Sequence, residues 1–224
     1  AEHYRLTLPW NDYGARLLPT QTLLDYQQSM NRYKAEFDRL VDAFLDKYDT
    51  LVAAAAFQLG TLFDRDEYPS RDKVANKFRM ETSFTPLPTA GDFRLDIEST
   101  VQQELVDKYE KRITEQIAAA NQDSWTRLYE ALKRLSDRLV VTEDGKKKVF
   151  HDTMVTGALE LCELLTQMNI TQDPALEKAR RKLEEVLSGV TPKELREEDG
   201  TRITTKQKVD EILAAFDWGV NDGD

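Results

Sequence analysis

The sequence predicts a mainly α fold: two long antiparallel helices in a coiled-coil-like hairpin, a smaller C-terminal helical bundle and one short β-hairpin. Three observations predict it. Apolar residues recur every seven positions between residues 23 and 51, and a second apolar face with helical spacing runs from residue 97 to residue 139. Charged residues make up 32% of the 224-residue chain. Such an excess is typical of long helices with solvent-exposed, salt-bridged faces.

The first long helix is predicted to begin at Thr20, as its N-cap, and to run to about Leu59, where Gly60 ends it. Its apolar residues form a heptad stripe of about four repeats, widened by a second set on one side. A stripe this wide favours burial between several helices over an open two-stranded rod. The stripe contains Leu23, Tyr26, Met30, Tyr33, Phe37, Leu40, Phe44 and Leu51, and the widening set contains Val41, Leu45, Tyr48 and Val52.

An irregular connection is predicted at residues 61–91, with a short helix from about residue 70 to residue 78. Two prolines near its end favour extended chain, because each proline biases the preceding residue away from the helical region. The second long helix is predicted from about Asp92 to Leu139. Because the two long helices are comparable in length, an antiparallel hairpin is the expected arrangement.

A β-hairpin is predicted at residues 140–150, where Asp144 and Gly145 lie between two short β-prone runs. The chain is therefore expected to have three parts. These are an extended N-terminal arm at 1–19, a long helical hairpin at 20–139, and a C-terminal region at 140–224 in which the β-hairpin precedes short helices.

The short helices are predicted from their local start and stop signals. One is expected at about 152–168 and another at 174–189, the second with Asp173 as its N-cap before a proline. Capping-box spacings at Thr191 and at Thr204 predict two further helix starts.

Charge and composition exclude some classes of function. Lys and Arg total 31 and Asp and Glu total 41, so the formal net charge is −10. General non-specific DNA binding is disfavoured, because a protein that grips a duplex usually has a basic surface. An acidic chain suits a basic protein partner or the imitation of nucleic acid, or it simply stays soluble.

The single cysteine, Cys162, allows no intramolecular disulfide, which suits a reducing compartment. It occupies an apolar helical position, so we expect a core residue. The N-terminus lacks the features of a signal peptide, and no apolar run reaches the ~20 residues that span a bilayer. These observations predict a cytoplasmic protein that does not bind a membrane.

The search for reactive motifs predicts no catalytic residue, no metal site and no cofactor. The two histidines are His3 and His151. His151 and Asp152 resemble the doublet of metal-dependent phosphohydrolases, but such sites need further histidines, so we expect a non-enzymatic protein. Phosphate-binding and nucleophile-elbow glycine motifs are absent from the sequence.

Two sets of residues are instead predicted to bind a partner. The first is a run of three lysines at the tip of the predicted β-hairpin, which either contacts nucleic acid or an acidic partner or keeps the hairpin edge from pairing. The second is a set of aromatic residues in the 61–91 connection, which either anchor an interface or cap the helical hairpin. The six residues are Lys146, Lys147, Lys148, Phe63, Tyr68 and Phe84.

Several stretches resemble an uncharacterised protein family of tailed phages and integrative mobile elements. They are Gly14–Pro19, Leu59–Phe63 with Tyr68–Pro69, Asp144–Lys146 with Val149–Asp152, and Met168–Ile170 leading to Asp173. Members of that family are often encoded beside a MoxR-type AAA+ ATPase and a von Willebrand factor A-type protein. At position 151 they usually have arginine and at position 153 serine, where this chain has His151 and Thr153. The resemblance covers roughly residues 10–187 and implies no catalytic residue.

The resulting hypothesis is a non-enzymatic phage or mobile-element protein that acts through protein–protein interaction, accessory to an AAA+ ATPase machine. If phage-encoded, it acts in the host cytoplasm. A nucleic-acid-associated accessory factor and an acidic inhibitor of a host factor are the alternatives.

Overall fold

The computed structural model describes residues 2–11, 14–87, 99–142 and 145–219. Helices dominate these residues, which confirms the mainly α fold. The elements in chain order are α1 (Glu2–Arg5), β1 (Leu8–Pro9), β2 (Arg16–Leu17), α2 (Leu23–Leu59), α3 (Arg71–Ala75), α4 (Ser99–Leu139), α5 (Thr153–Met168), α6 (Pro174–Ser188), α7 (Pro192–Glu197) and α8 (Asp199–Ala215). None of the described helices carries an apolar stretch of the kind that a bilayer-spanning helix needs.

The chain divides into two compact units. The first unit contains residues 1–23 and 89–224, and the second contains residues 24–88. The long helix α2 therefore lies almost entirely in the second unit and α4 lies in the first. The antiparallel pairing of these two helices stays a prediction, and so do the predicted domain boundaries. Two predicted features lie outside the described residues: the start of the second long helix at Asp92, and Asp144 of the predicted β-turn.

The first unit has a helical core. The apolar face of α4 repeats at spacings of three and four residues and packs against α5, α6 and α8. The buried residues of this core are Trp125, Leu128, Leu132, Leu135 and Leu139 from α4, Val155, Ala158, Cys162 and Leu165 from α5, Leu176, Ala179, Leu183 and Leu187 from α6, Leu195 from α7, and Val209 and Ile212 from α8. Phe150 and Trp218 close the core between these helices.

The N-terminal segment differs from the extended arm that the sequence suggests. It contains the helical turn α1 and the antiparallel pair β1–β2, in which Leu8 lies opposite Leu17. Leu8 is fully buried. Arg127 of α4 fixes the segment by donating hydrogen bonds of 2.9–3.0 Å to three of its carbonyl oxygens, those of Tyr4, Arg5 and Thr7. The segment is thereby part of the first unit's core.

The start of α2 also differs from the prediction. Thr20 does not cap the helix, because Thr20–Thr22 forms a 3-10 turn preceded by Pro19. The buried Thr22 hydroxyl instead donates to the carbonyl oxygens of Pro19, at 3.0 Å, and Leu6, at 3.2 Å. The predicted end at Leu59 is confirmed, and Gly60 follows with a φ of +54°, a conformation that glycine adopts without strain.

In the second unit the connection folds back along α2. The Tyr48 hydroxyl donates to the carbonyl oxygen of Pro69 at 2.8 Å, and Arg71 donates to that of Leu45 at 3.1 Å. Farther along, Phe78 meets Phe44 edge-on at a centroid distance of 5.7 Å. Of the residues that widen the heptad stripe, Leu45, Tyr48 and Val52 are buried and Val41 is half-buried.

The heptad stripe itself is not buried between helices, contrary to the expectation from its width. Tyr33, Leu40, Phe44 and Leu51 expose between 37% and 53% of their surface. The connection covers only part of the stripe: Phe84 meets Tyr26, which is buried, and Phe78 meets one side of Phe44, which stays partly exposed.

The short helices confirm most of the local signals. Helix α6 begins at Pro174 with Asp173 as its N-cap, and α7 begins behind a complete capping box formed by Thr191 and Glu194. The second capping-box prediction is wrong, because Thr204 lies inside α8. Helix α8 begins five residues earlier, at Asp199.

Within the described residues, the predicted β-hairpin at 140–150 is reduced to a single antiparallel bridge, and an antiparallel strand pair that was not predicted lies in the N-terminal segment. Paired strands occur at β1–β2, whereas residues 140–150 contain an isolated bridge between Val141 and Lys147. A 3.0 Å hydrogen bond from the Thr142 N–H to the Lys146 carbonyl supports this bridge. Pairing does not continue because the next carbonyl, that of Lys148, accepts a 2.8 Å hydrogen bond from Arg202.

Candidate functional site

The three lysines of the predicted tip have different surroundings. Lys147 forms an ion pair with Asp199 at the start of α8, and its Nζ lies 3.4 Å from the carbonyl oxygen of Arg196. Lys146 and Lys148 are exposed. Because Lys147 is turned back onto the protein, the basic charge offered to a partner is smaller than the sequence suggests.

Arg202 holds this tip against the helical core. Its guanidinium is buried, with 1% of the residue exposed, and donates to four backbone carbonyls. Nε donates to Leu139 at 3.3 Å, Nη1 to Leu195 at 3.1 Å, and Nη2 to Lys148 at 2.8 Å and to Arg138. Arg138 and Leu139 end α4, so the cation neutralises the negative end of that helix.

Burial lowers the pKa of Arg202 and nearby Asp199 acts in the opposite direction. Arginine nevertheless keeps its charge in proteins. The ring of Phe150 lies 5.8 Å from the guanidinium carbon and adds a cation–π contact. Sequence reasoning missed Arg202, because no local pattern reveals which carbonyls a helical arginine reaches.

The His151–Asp152 doublet lies at the start of α5, where no third metal ligand is grouped with it among the described residues. Both residues are exposed, and the Asp152 carboxylate forms an ion pair with Arg196. Within the described ranges, no group of three His, Cys, Asp or Glu side chains is arranged to hold a metal ion.

The predicted aromatic anchors of the connection lie in the second unit, whereas the lysine tip lies in the first. Phe63 and Tyr68 stack on each other at a centroid distance of 5.1 Å and are half-buried. Phe84 is half-exposed and meets Tyr26 of α2 edge-on at 6.0 Å. Phe84 therefore helps to hold the connection on the helix.

Just before Phe63 in the sequence, apolar side chains at the end of α2 are more exposed than the stacked rings. Phe57 is 91% exposed and Leu62 is 82% exposed, with Leu59 between them at 44%. Phe57 and Leu59 belong to α2, and Leu62 lies in the 3-10 turn that follows it. We call these three residues the apolar end of α2. The sequence analysis did not single out Phe57, Leu59 or Leu62, because exposure at the end of a helix depends on which segments fold over it.

A groove of about 550 Å³ in the first unit lies between α4, α8 and the segment after α8. At its edge Ser136 Oγ donates to Asp210 at 2.5 Å, and Lys206 donates to Asp210 at 2.5 Å and to Ser136 Oγ at 3.2 Å. Burial acts to raise the pKa of Asp210, but the hydrogen bonds from Lys206 and Ser136 outweigh it and lower that pKa. A carboxylate of low pKa is a weak general base. The network therefore joins α4 to α8.

Cys162 is a fully buried core residue, as the sequence predicts. Burial raises the pKa of its thiol to about 11. Since the thiolate is the reactive form, we expect DTNB at pH 8 to label the folded protein more than about 100-fold more slowly than the urea-unfolded protein. A Cys162→Ala variant gives the background rate. Equal labelling of the folded and unfolded protein would contradict the placement of the thiol.

Comparison of the chain with protein-family models, with curated proteins and with solved structures gave no match. The resemblance to the phage and mobile-element family stays a prediction.

Proposed function

We propose that this protein acts by binding another protein, without catalysing a reaction itself. The observation that supports the proposal is the apolar end of α2, where Phe57 and Leu62 are almost fully exposed within six residues of each other. Exposed apolar patches of this kind mark interaction sites in proteins that are otherwise well covered by polar residues. Aromatic side chains are also enriched among the residues that dominate binding energy.

Phe63 and Tyr68, which follow the apolar end of α2 in the sequence, form a fixed stack of their own. Both rings are half-buried and in contact with each other, so they lose little freedom when a partner binds. The Tyr68 carbonyl accepts a 2.7 Å hydrogen bond from Arg65, which fixes the turn between them. A preorganised surface of this kind suits an accessory subunit.

The family resemblance supplies the candidate partners. In a phage or mobile element the protein would serve as an accessory to a machine built around a MoxR-type ATPase and a von Willebrand factor A-type protein. The net charge of −10 suits a partner with a basic surface.

The test is co-expression with those two neighbouring gene products, followed by size-exclusion chromatography and titration of any complex. We expect co-elution with at least one of them, and we expect Phe57→Ser and Leu62→Ser each to weaken binding by about 10- to 30-fold. Leu24→Ser is the matched control, because Leu24 is 63% exposed near the other end of the same helix.

Three results would count against the proposal or its details. If the wild-type protein elutes apart from both products, the accessory role is wrong. If Lys146→Glu, Lys147→Glu and Lys148→Glu together weaken the complex while the serine variants do not, the partner binds the lysine tip instead. Binding of DNA that falls steeply with salt would favour the nucleic-acid alternative.

A further inference from the structure

The exposed flank of the heptad stripe on α2 has a regular pattern. Its four members, Tyr33, Leu40, Phe44 and Leu51, are separated by seven, four and seven residues. We call these four residues the α2 seam. Spacings of seven and four place side chains on one side of a helix in the arrangement that packs against a second helix. This surface is separate in sequence from the apolar end of α2.

The spacing of the α2 seam is also symmetric. Tyr33 and Leu51 lie nine residues on either side of Asp42, and Leu40 and Phe44 lie two residues on either side of it. A two-fold dimer requires such symmetry, because residue i of one copy must meet residue j of the other and residue j must meet residue i. In an antiparallel pair centred on residue 42, Tyr33 faces Leu51 and Leu40 faces Phe44.

The charges beside the seam favour the same arrangement. Glu36 and Lys47 are exposed on one flank of the seam, at almost equal distances from residue 42. An antiparallel pair brings Glu36, which also pairs with Arg39 of its own chain at 2.7 Å, next to Lys47 of the other copy on the same side of the seam. Asp42 lies on the opposite side of the helix at 100° per residue, so the two Asp42 carboxylates do not meet.

We infer that two copies of this chain associate through the α2 seam as an antiparallel helix pair with its two-fold axis near residue 42. The contact runs for about 27 Å along the helix. The four side chains expose on the order of 350 Å² of surface in each copy. A pair therefore covers about 700 Å² in total, which is below the ~1,200 Å² of stable specific interfaces and in the range of weak, transient contacts. The dimer is therefore expected to be reversible, with dissociation at micromolar concentrations.

The first test is sedimentation equilibrium of the full chain between about 1 and 200 µM. We expect the mass to rise from one chain to two across this range. Leu40→Glu places a carboxylate against the aromatic ring of Phe44 in the other copy and should weaken association by at least 30-fold. Leu24→Glu is the matched control, because this exposed leucine lies on the far side of the helix, and it should leave association unchanged.

The second test uses disulfide cross-linking to determine whether the two α2 helices are antiparallel. In a Cys162→Ala background, chains with Tyr33→Cys should form disulfides with chains carrying Leu51→Cys when the two are mixed, and neither should cross-link alone. A charge exchange adds a rescue: Glu36→Lys and Lys47→Glu should each weaken the dimer, and the double variant should restore it.

A protein that stays monomeric at 200 µM would overturn the inference and indicate that another helix, from this chain or a partner, covers the seam. Cross-linking of Tyr33→Cys with itself would overturn the antiparallel arrangement. Circular dichroism of each variant must show unchanged helix content, and loss of helix in Leu40→Glu would move the test to the cysteine variants. Because Leu40→Glu leaves Phe57 and Leu62 intact, its effect is distinguishable from failure of the proposed partner binding.

Discussion

Arg202→Met is expected to destabilise the first unit by about 3–5 kcal/mol, measured as the free energy of unfolding in urea. The substitution removes the cation that serves four backbone carbonyls and leaves these acceptors buried without a partner. An unsatisfied buried polar group costs about 1–3 kcal/mol, so the loss is large even after local rearrangement. The variant should also release the lysine tip, because the Lys148 carbonyl loses its donor.

Arg138→Met is the matched control. Arg138 lies at the same end of α4, but its side chain is exposed, so we expect a change within about 0.5 kcal/mol. Arg202→Lys should recover only part of the loss, since an ammonium group cannot reproduce the planar fork of the guanidinium. Equal stability of Arg202→Met and the wild-type protein would show that the four hydrogen bonds contribute nothing net.

Asp173→Ala is expected to cost about 2–4 kcal/mol, because it removes an N-cap and an interhelical bond at once. One carboxylate oxygen accepts from the N–H groups of Ala175 and Leu176 at the start of α6. The other accepts from the indole N–H of Trp125 on α4 at 2.9 Å. Without the carboxylate, the mostly buried indole loses its acceptor. Asp173→Asn has a single acceptor oxygen and can keep either the cap or the bond from the indole, but not both, so it should cost less than Asp173→Ala without being neutral.

The same carboxylate gives a defined pH dependence. Burial acts to raise the pKa of Asp173, but the hydrogen bonds from Trp125, Ala175, Leu176 and Asn121 outweigh it, so the pKa is lower than in the unfolded chain. Its contribution to stability is therefore fully present above about pH 4, the ordinary value for aspartate, and is lost as the pH falls through the folded pKa. Urea unfolding between pH 5 and pH 2 should show a smaller decline for Asp173→Asn than for the wild-type protein.

Local signals predicted the helix boundaries well. Helix start and stop signals act within a few residues of their position in the sequence, so they can be recognised without knowing the tertiary structure. Asp173, Thr191 and Gly60 are examples. Thr204 shows the limit of this reasoning. Its spacing fits a capping box, yet the helix already extends through it because α7 and α8 are separated by a single residue, Glu198.

Non-local pairing was harder to predict. Nothing near Leu8 indicates that it pairs with Leu17, and nothing near Tyr33 indicates that its side of α2 faces solvent while Tyr48 is covered by the connection. The candidate binding surface, too, depends partly on local sequence and partly on non-local packing. The aromatic residues Phe63 and Tyr68 could be picked out from the sequence alone and their role in binding stays a prediction, whereas exposure at Phe57 depends on which segment folds back over α2.

In the sequence, residues 24–88 of the second unit come between the two segments that form the first unit. This order has a consequence for folding during synthesis. Residues 4–7 are translated early, but Arg127, whose guanidinium binds their carbonyl oxygens, is translated after the whole second unit. Contacts in the second unit join residues that lie close together in the chain, such as Tyr48 and Pro69. On the ribosome, the N-terminal residues therefore remain without Arg127 while the contacts within residues 24–88, such as Tyr48 with Pro69, can already form.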